Sequence, residues 1–233
     1  MPRLGVTRTR TQLADIIAVA AARGIEVVPL PVICTPALPF DWPVGLAPET
    51  VDWIIFSSAV AVSSFFNRLK DLGITFPESA SIAAVGDKTA QVLESFHREV
   101  DFVPTESYGQ LLFEEMASTI LKPGQTALYA RASEVNYDPE DLFKQRGIIY
   151  FSVTCYETVQ QEIPKDVVKE FSDSDYILFT APSTVRSFHQ QFGAQRAKAI
   201  AIGNSTSSEM WKLGWSVFSW LPKPDIKLVL EYL

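Results

Sequence analysis

Two apolar rhythms alternate along this chain. Runs such as Ile54-Ile55-Phe56 and Ile177-Leu178-Phe179 are apolar at consecutive positions, as in strands buried on both faces of a parallel sheet. Between such runs, apolar residues recur at helical spacing, as in Val60, Val62, Phe65, Phe66 and Leu69. The rhythm predicts strands at 3–7, 25–30, 51–57, 82–85, 100–103, 126–130, 148–154, 176–180, 199–202 and 216–220. It predicts helices at 12–23, 59–69, 88–96, 108–121, 139–146, 184–192, 205–213 and 226–232, with Gly24 and Gly147 as helix stops. The class is α/β, with short turns that favour parallel pairing.

The pattern is also duplicated. Asp52-Trp53-Ile54-Ile55-Phe56-Ser57-Ser58 reads like Asp175-Tyr176-Ile177-Leu178-Phe179-Thr180-Ala181, a spacing of 179 − 56 = 123. Arg8 and Arg131, and Gly24 and Gly147, keep that spacing. Ala83-Ala84-Val85-Gly86-Asp87-Lys88-Thr89 likewise echoes Ile200-Ala201-Ile202-Gly203-Asn204-Ser205-Thr206. Two similar doubly wound parallel-sheet domains are therefore expected, with five strands each, helices on both faces and a ligand cleft between them.

Only two long connectors interrupt the short turns: a proline-rich stretch at 31–50 and a polar one at 157–174. They bracket the middle five strands. This favours a swapped, discontinuous arrangement joined by a two-segment hinge over a simple tandem break near residue 123. The expected domains are 1–35 with 160–233, and 36–159.

At 47% apolar and 20% charged residues, the composition is that of an ordinary soluble protein. No run approaches the roughly 18 apolar residues of a membrane span, and the first residues do not read as a secretory signal. A cytoplasmic setting is expected. The net charge of −7 argues against nucleic-acid binding. It leaves room for an anionic small ligand, because arginines and helix N-termini act locally; among residues 1–30, Arg3, Arg8, Arg10 and Arg23 outnumber Asp15 and Glu26. Cys34 and Cys155 read as reduced thiols and form no metal motif.

Candidate chemistry clusters where strands hand over to helices. Phe-Ser/Thr-Ser/Ala at 56–58 and 179–181, and Val/Ile-Gly-x-x-Thr at 85–89 and 202–206, place glycine, hydroxyls and helix N–H groups at the carboxyl ends of strands. Gly86, Thr89, Gly203 and Thr206 fit either an anion-binding turn or plain turn and capping roles. Arg8 and Arg131 end matched strands and fit either a carboxylate clamp or a salt bridge. Tyr156, at a strand end, fits either a proton donor or the edge of a core. His97 and His189 read as solvated. Cofactor and nucleotide signatures are missing, which argues against a nucleotide-sugar transferase.

Taken in order, Val6-Thr7-Arg8, 24–31, 54–62, 85–90, 104–111, Cys155-Tyr156-Glu157-Thr158, 179–185 and 201–206 make the chain resemble the uroporphyrinogen-III synthase family over nearly its whole length. The resemblance implies the swapped two-domain fold and a cofactor-free cyclising hydro-lyase of tetrapyrrole (haem) biosynthesis. Its substrate would be hydroxymethylbilane, a linear tetrapyrrole with eight carboxylates. Water would leave, a spirocyclic intermediate would invert ring D, and closure would give uroporphyrinogen III.

The resemblance also makes Tyr156 the acid, Thr89 and Thr206 cleft threonines, and Ser58 and Ser183 parts of backbone-binding turns. Ala181 departs from the serine frequent in the family, and 132–138 lacks the expected glycine/arginine pattern. A monomer is expected. The rival reading is a synthase-like module that binds a tetrapyrrole or another anion without turnover.

Overall fold

A computed structural model describes residues 2–169, 171–172 and 174–233. Glu170 and Asp173 of the second predicted connector therefore lie outside the described residues. The chain starts with β1 (Arg3–Val6), a 3₁₀ turn at Thr11–Leu13, α1 (Ala14–Ala22), β2 (Glu26–Pro29) and β3 (Ile33–Cys34). It continues with β4 (Trp53–Phe56), α2 (Ala59–Leu72), β5 (Ser81–Ala84) and α3 (Asp87–Ser95). Next come α4 (Gly109–Glu115), a π turn at Met116–Ile120, β6 (Thr126–Ala132), α5 (Glu140–Gln145) and β7 (Ile149–Tyr156). The last part holds β8 (Val159–Gln160), α6 (Lys165–Lys169), β9 (Tyr176–Phe179), α7 (Pro182–Phe192), β10 (Lys198–Ala201), α8 (Asn204–Lys212) and β11 (Val217–Trp220). A 3₁₀ segment at Ile226–Glu231 follows.

The contacts divide the chain into two compact units, Met1–Cys34 with Val159–Leu233, and Thr35–Thr158. In the first, five parallel strands run in the order β11-β10-β9-β1-β2, and β3 pairs antiparallel with β8. In the second, four parallel strands run in the order β5-β4-β6-β7. The apolar runs account for both sheets. Ile54 and Phe56 pack into one core while Ile55 packs into another, and Ile177 and Phe179 face one core while Leu178 faces another. Each sheet is thus covered on both faces. A fully buried side chain of this kind contributes about 1.5–3 kcal/mol.

Five strands in each sheet is therefore corrected to five and four. The predicted strand at 100–103 is reduced to a single bridge, Ala83 to Phe102. Both Asp101 and Phe102 direct their N–H groups to Ile82 O, while the Asp101 carboxylate takes the Ile82 N–H at 2.7 Å. A side chain has replaced the backbone acceptor that a regular ladder would need. The 12–23 helix opens as a 3₁₀ turn, the 108–121 helix closes as a π turn, and the C-terminal helix is 3₁₀ throughout. The proline-rich connector contributes β3 and an isolated bridge from Ala37 to Tyr156.

Candidate functional site

In the unit formed by residues 35–158, Ser58 and Tyr156 meet. Ser58 is the N-cap of α2, with extended backbone, and its Oγ accepts the Ala61 N–H at 3.1 Å. This satisfies one of the orphan donors of a helix start. The same oxygen lies 3.0 Å from Tyr156 Oη at the end of β7. Burial pushes the Tyr156 phenol above its ordinary value of 10.0; the Ser58 hydrogen bond opposes this and Cys155 adds to it. The phenol thus holds its proton at neutral pH. Cys155 itself is buried, and burial pushes its thiol up to about 12.

A second couple stands beside the first. Ser57 Oγ lies 2.7 Å from Tyr129 Oη, on neighbouring β6. Sequence reasoning missed Tyr129; its place inside a strand gave no sign of a polar partner. Arg131, at the end of β6, forms an ion pair with Asp138, and its Nε donates to Ala132 O at 3.2 Å. Asp138 also accepts from Tyr150 Oη at 3.1 Å. Of the two roles open to Arg131, the protein supplies the salt bridge internally.

The glycine turns are alike in backbone and unlike in surroundings. Gly86 and Gly203 are the N-caps of α3 and α8, both extended, with no side-chain cap on either helix. Val85 N–H donates to Phe56 O, and Ile202 N–H to Phe179 O, so the two turns hang from their sheets in the same way. A Cβ on Gly86 would collide with Ser107, whereas one on Gly203 would meet nothing within 4 Å. Thr89 and Thr206 are buried in the first helical turns. Their hydroxyls have no hydrogen-bond partner among the described residues.

In the other unit, Arg8 follows β1 and is half-buried. Burial lowers its pKa from 12.5, and no carboxylate pairs with it among the described residues. Such a guanidinium gains most from an incoming anion. Ser183 lies in the first turn of α7, half-buried. Ala181, the N-cap of α7, offers no side-chain oxygen; the Thr184 hydroxyl accepts the Ala181 N–H at 3.3 Å and donates to Ala181 O at 2.8 Å. Thr7, Thr180 and Thr184 form a hydroxyl cluster, with Thr7 Oγ1 3.2 Å from Thr180 Oγ1 and 3.1 Å from Thr184 Oγ1. The sequence carried a signal for this cluster, since all three threonines close or follow repeated strand ends.

His189 corrects its reading as solvated: it is half-buried in α7 and accepts the Trp215 indole N–H at Nδ1, 3.1 Å away. His97 is exposed. Among the described residues, no group of three or more His, Cys, Asp and Glu side chains is placed to hold a metal ion, and no helix is long and apolar enough to cross a membrane.

Fold and site together define a class: a protein of two parallel α/β units whose sheets end in glycine, serine and threonine turns and in a half-buried, serine-bound phenol. The profile of the Uroporphyrinogen-III synthase HemD family matches residues 14–231. The protein of Synechococcus elongatus named uroporphyrinogen-III synthase is 30% identical over 193 residues, 79% of this chain and 72% of that one. The chain belongs to the uroporphyrinogen-III synthase family. Two solved structures show the same fold. A mutant uroporphyrinogen III synthase from the extremely thermophilic bacterium Thermus thermophilus superposes with a TM-score of 0.66 at 18% identity, over 100% of this chain and 97% of that one. The uroporphyrinogen-III synthetase of Helicobacter pylori 26695 gives 0.66 at 19% identity, over 100% and 98%.

Proposed function

We propose that this protein is a uroporphyrinogen-III synthase, a hydro-lyase that cyclises hydroxymethylbilane with inversion of ring D and loss of water. The observation that carries the mechanism is the 3.0 Å contact between Tyr156 Oη and Ser58 Oγ. Ser58 already accepts from Ala61 N–H, so it can give its own proton to the Tyr156 oxygen. The phenolic proton is then free to face the substrate.

In the first step the carbon–oxygen bond to the terminal hydroxyl breaks. Its electron pair stays on oxygen, and the Tyr156 proton completes the departing water. The azafulvenium cation that remains closes through the spirocyclic intermediate. Protons released as the pyrroles regain aromaticity balance the phenolate. Ser58 stabilises that phenolate by donating to it.

A polycarboxylate needs many donors more than one strong nucleophile. Arg8 would pair with a carboxylate. The uncapped first turns behind Gly86 and Gly203, and the hydroxyls of Thr89 and Thr206, supply further donors. Ser183 would contribute from the first turn of α7. Positioning of the two reacting ends is the main task, because it decides inversion against direct closure. In this reading the protein works in the cytoplasm as a monomer on a small molecule, without a cofactor, nucleic acid or membrane.

The test is incubation with freshly generated hydroxymethylbilane, oxidation of the products and separation of the porphyrin isomers. Mostly type III isomer is expected. Only type I from a folded sample, as in a control without protein, overturns the catalytic reading in favour of a binding module.

A further inference from the structure

We propose that Ser57 is a second substrate-facing hydrogen-bond donor at this site, and that the buried Tyr129 phenol is its positioning residue. This rests on the synthase reading above.

Tyr129 is 2% exposed. The only hydrogen-bond partner of its phenol among the described residues is Ser57 Oγ, 2.7 Å away. Its ring is fixed by edge contact with Phe113, centroids 4.9 Å apart. A buried phenol must place its proton on an acceptor, and Ser57 Oγ is the one within reach. Tyr129 therefore donates, and Ser57 accepts. That direction leaves the Ser57 proton unspent. Ser57 is half-buried, stands directly after β4, and finds no protein acceptor for that proton among the described residues. The chain of polarity runs from Tyr129 O–H to Ser57 O–H and outward.

The duplicated position shows the alternative. Thr180 is the counterpart of Ser57 (180 − 57 = 123). Its hydroxyl donates inward to Thr7 O at 3.1 Å, and its N–H donates to Thr7 Oγ1 at 3.0 Å. Thr7 in turn donates to Leu178 O or to Thr184 Oγ1. Every hydroxyl proton in that cluster is used within the protein. In the other unit the counterpart of Thr7 is Ala130 (130 − 7 = 123), which offers no hydroxyl. Tyr129 takes over the holding of the serine and reverses its direction. One copy of the motif has become structural, and the other presents a donor.

The donor sits one residue from Ser58, the partner of Tyr156. It is a neutral donor that fits an oxygen acceptor, and we assign it a side-chain carboxylate of the linear tetrapyrrole.

The experiment compares steady-state kinetics on hydroxymethylbilane for wild type, Ser57→Ala, Ser57→Thr, Tyr129→Phe and the double variant, each with a thermal melt. Ser57→Ala should raise KM roughly tenfold to 100-fold, the worth of one hydrogen bond to a charged group. Ser57→Thr keeps the hydroxyl and should recover most of that loss. Tyr129→Phe should change the same parameter, and the double variant should be no worse than Ser57→Ala, because both act through one hydrogen-bond chain. A fall in kcat at constant KM would also support the donor, and would move its contact to the departing oxygen.

Unchanged kinetics in Ser57→Ala overturn the proposal. A Tyr129→Phe variant that melts earlier yet keeps wild-type kinetics overturns its positioning role. If Tyr129→Phe does not fold, the two Ser57 variants still decide the donor. Wild-type protein that makes only type I isomer sinks the synthase reading itself, whereas a working wild type indifferent to Ser57→Ala sinks this inference alone.

Discussion

Gly86 lies so close to Ser107 that a Cβ on the glycine would stand 2.4 Å from the serine Oγ and 3.0 Å from its Cβ. The duplicated Gly203 has no such neighbour within 4 Å, and both glycines have extended backbone that any residue adopts. The first glycine is therefore required by the protein itself. Packing places no such demand on the second.

Gly86→Ala should lower stability by about 1–2 kcal/mol, the cost of modest overpacking, and Ser107→Gly should restore it. Gly203→Ala should leave the melting temperature within the small change of a surface substitution, roughly 0.5 kcal/mol. Its kcat/KM should nevertheless fall, because the new methyl group occupies the approach to the first turn of α8. Thermal melts and kinetics on the two variants separate the cases. A Gly203→Ala enzyme with wild-type kcat/KM would remove that turn from the binding site.

Tyr156→Phe removes the phenolic proton and leaves the Ser58 cap on Ala61 N–H intact. Turnover should drop about 100-fold, the lower end of a lost general acid, while the far-UV spectrum and melting temperature stay close to wild type. Wild-type turnover in this variant would assign the proton to another group.

Arg131 and Asp138 should behave as one structural unit. The pair is partly open, with side chains 19% and 37% exposed, so solvent screening holds its coupling to about 1 kcal/mol or less. A double-mutant cycle with Arg131→Met and Asp138→Asn measures that coupling in denaturant. Both single variants should lose activity to a similar, small extent. A loss in Arg131→Met far beyond that of Asp138→Asn would instead give Arg131 a direct grip on substrate.

Asp175 should carry acid sensitivity. Burial pushes its carboxyl up, but the Ser172 N–H and hydroxyl, the Arg3 N–H and the Arg3 guanidinium together hold it below 3.8. A depressed folded pKa stabilises the protein at pH above the unfolded value of about 4. That contribution is lost as pH falls through the folded value. Asp175→Asn should cost about 1–3 kcal/mol at pH 7 and show a shallower loss of stability between roughly pH 4 and pH 2. Denaturant melts across that range check the slope. Asp52 makes the matching contact in the other unit, accepting Thr126 N–H at 2.7 Å.

Much of the architecture was legible because burial on both faces leaves a local signature. Consecutive apolar residues mark β4 and β9, and the 123-residue spacing repeats that mark together with the aspartate before it and the hydroxyl after it. The strand at 100–103 was illegible for an equally local reason: its apolar residues fit the pattern, but the Asp101 side chain takes the N–H that would have extended the ladder. At the site, sequence found the turns and the phenol. It missed Tyr129, whose oxygen is polar but whose neighbours in β6 read as core.

The sequence by itself determined the α/β class, the duplication, the positions of the glycine and hydroxyl turns, and the likeness to a family. These depend on short-range periodicity and on residue type. Only the tertiary structure decided that Tyr156 reaches Ser58, 98 positions away, that Tyr129 reaches Ser57 across 72 positions, and that Arg131 turns to Asp138. Hydrogen bonds are directional and short, so they are set where β4 lies beside β6 and β7 follows β6. No periodicity in the chain encodes those distances. The same pairing decides which repeated hydroxyl is spent inside the protein, as at Thr180, and which, as at Ser57, keeps a proton to give.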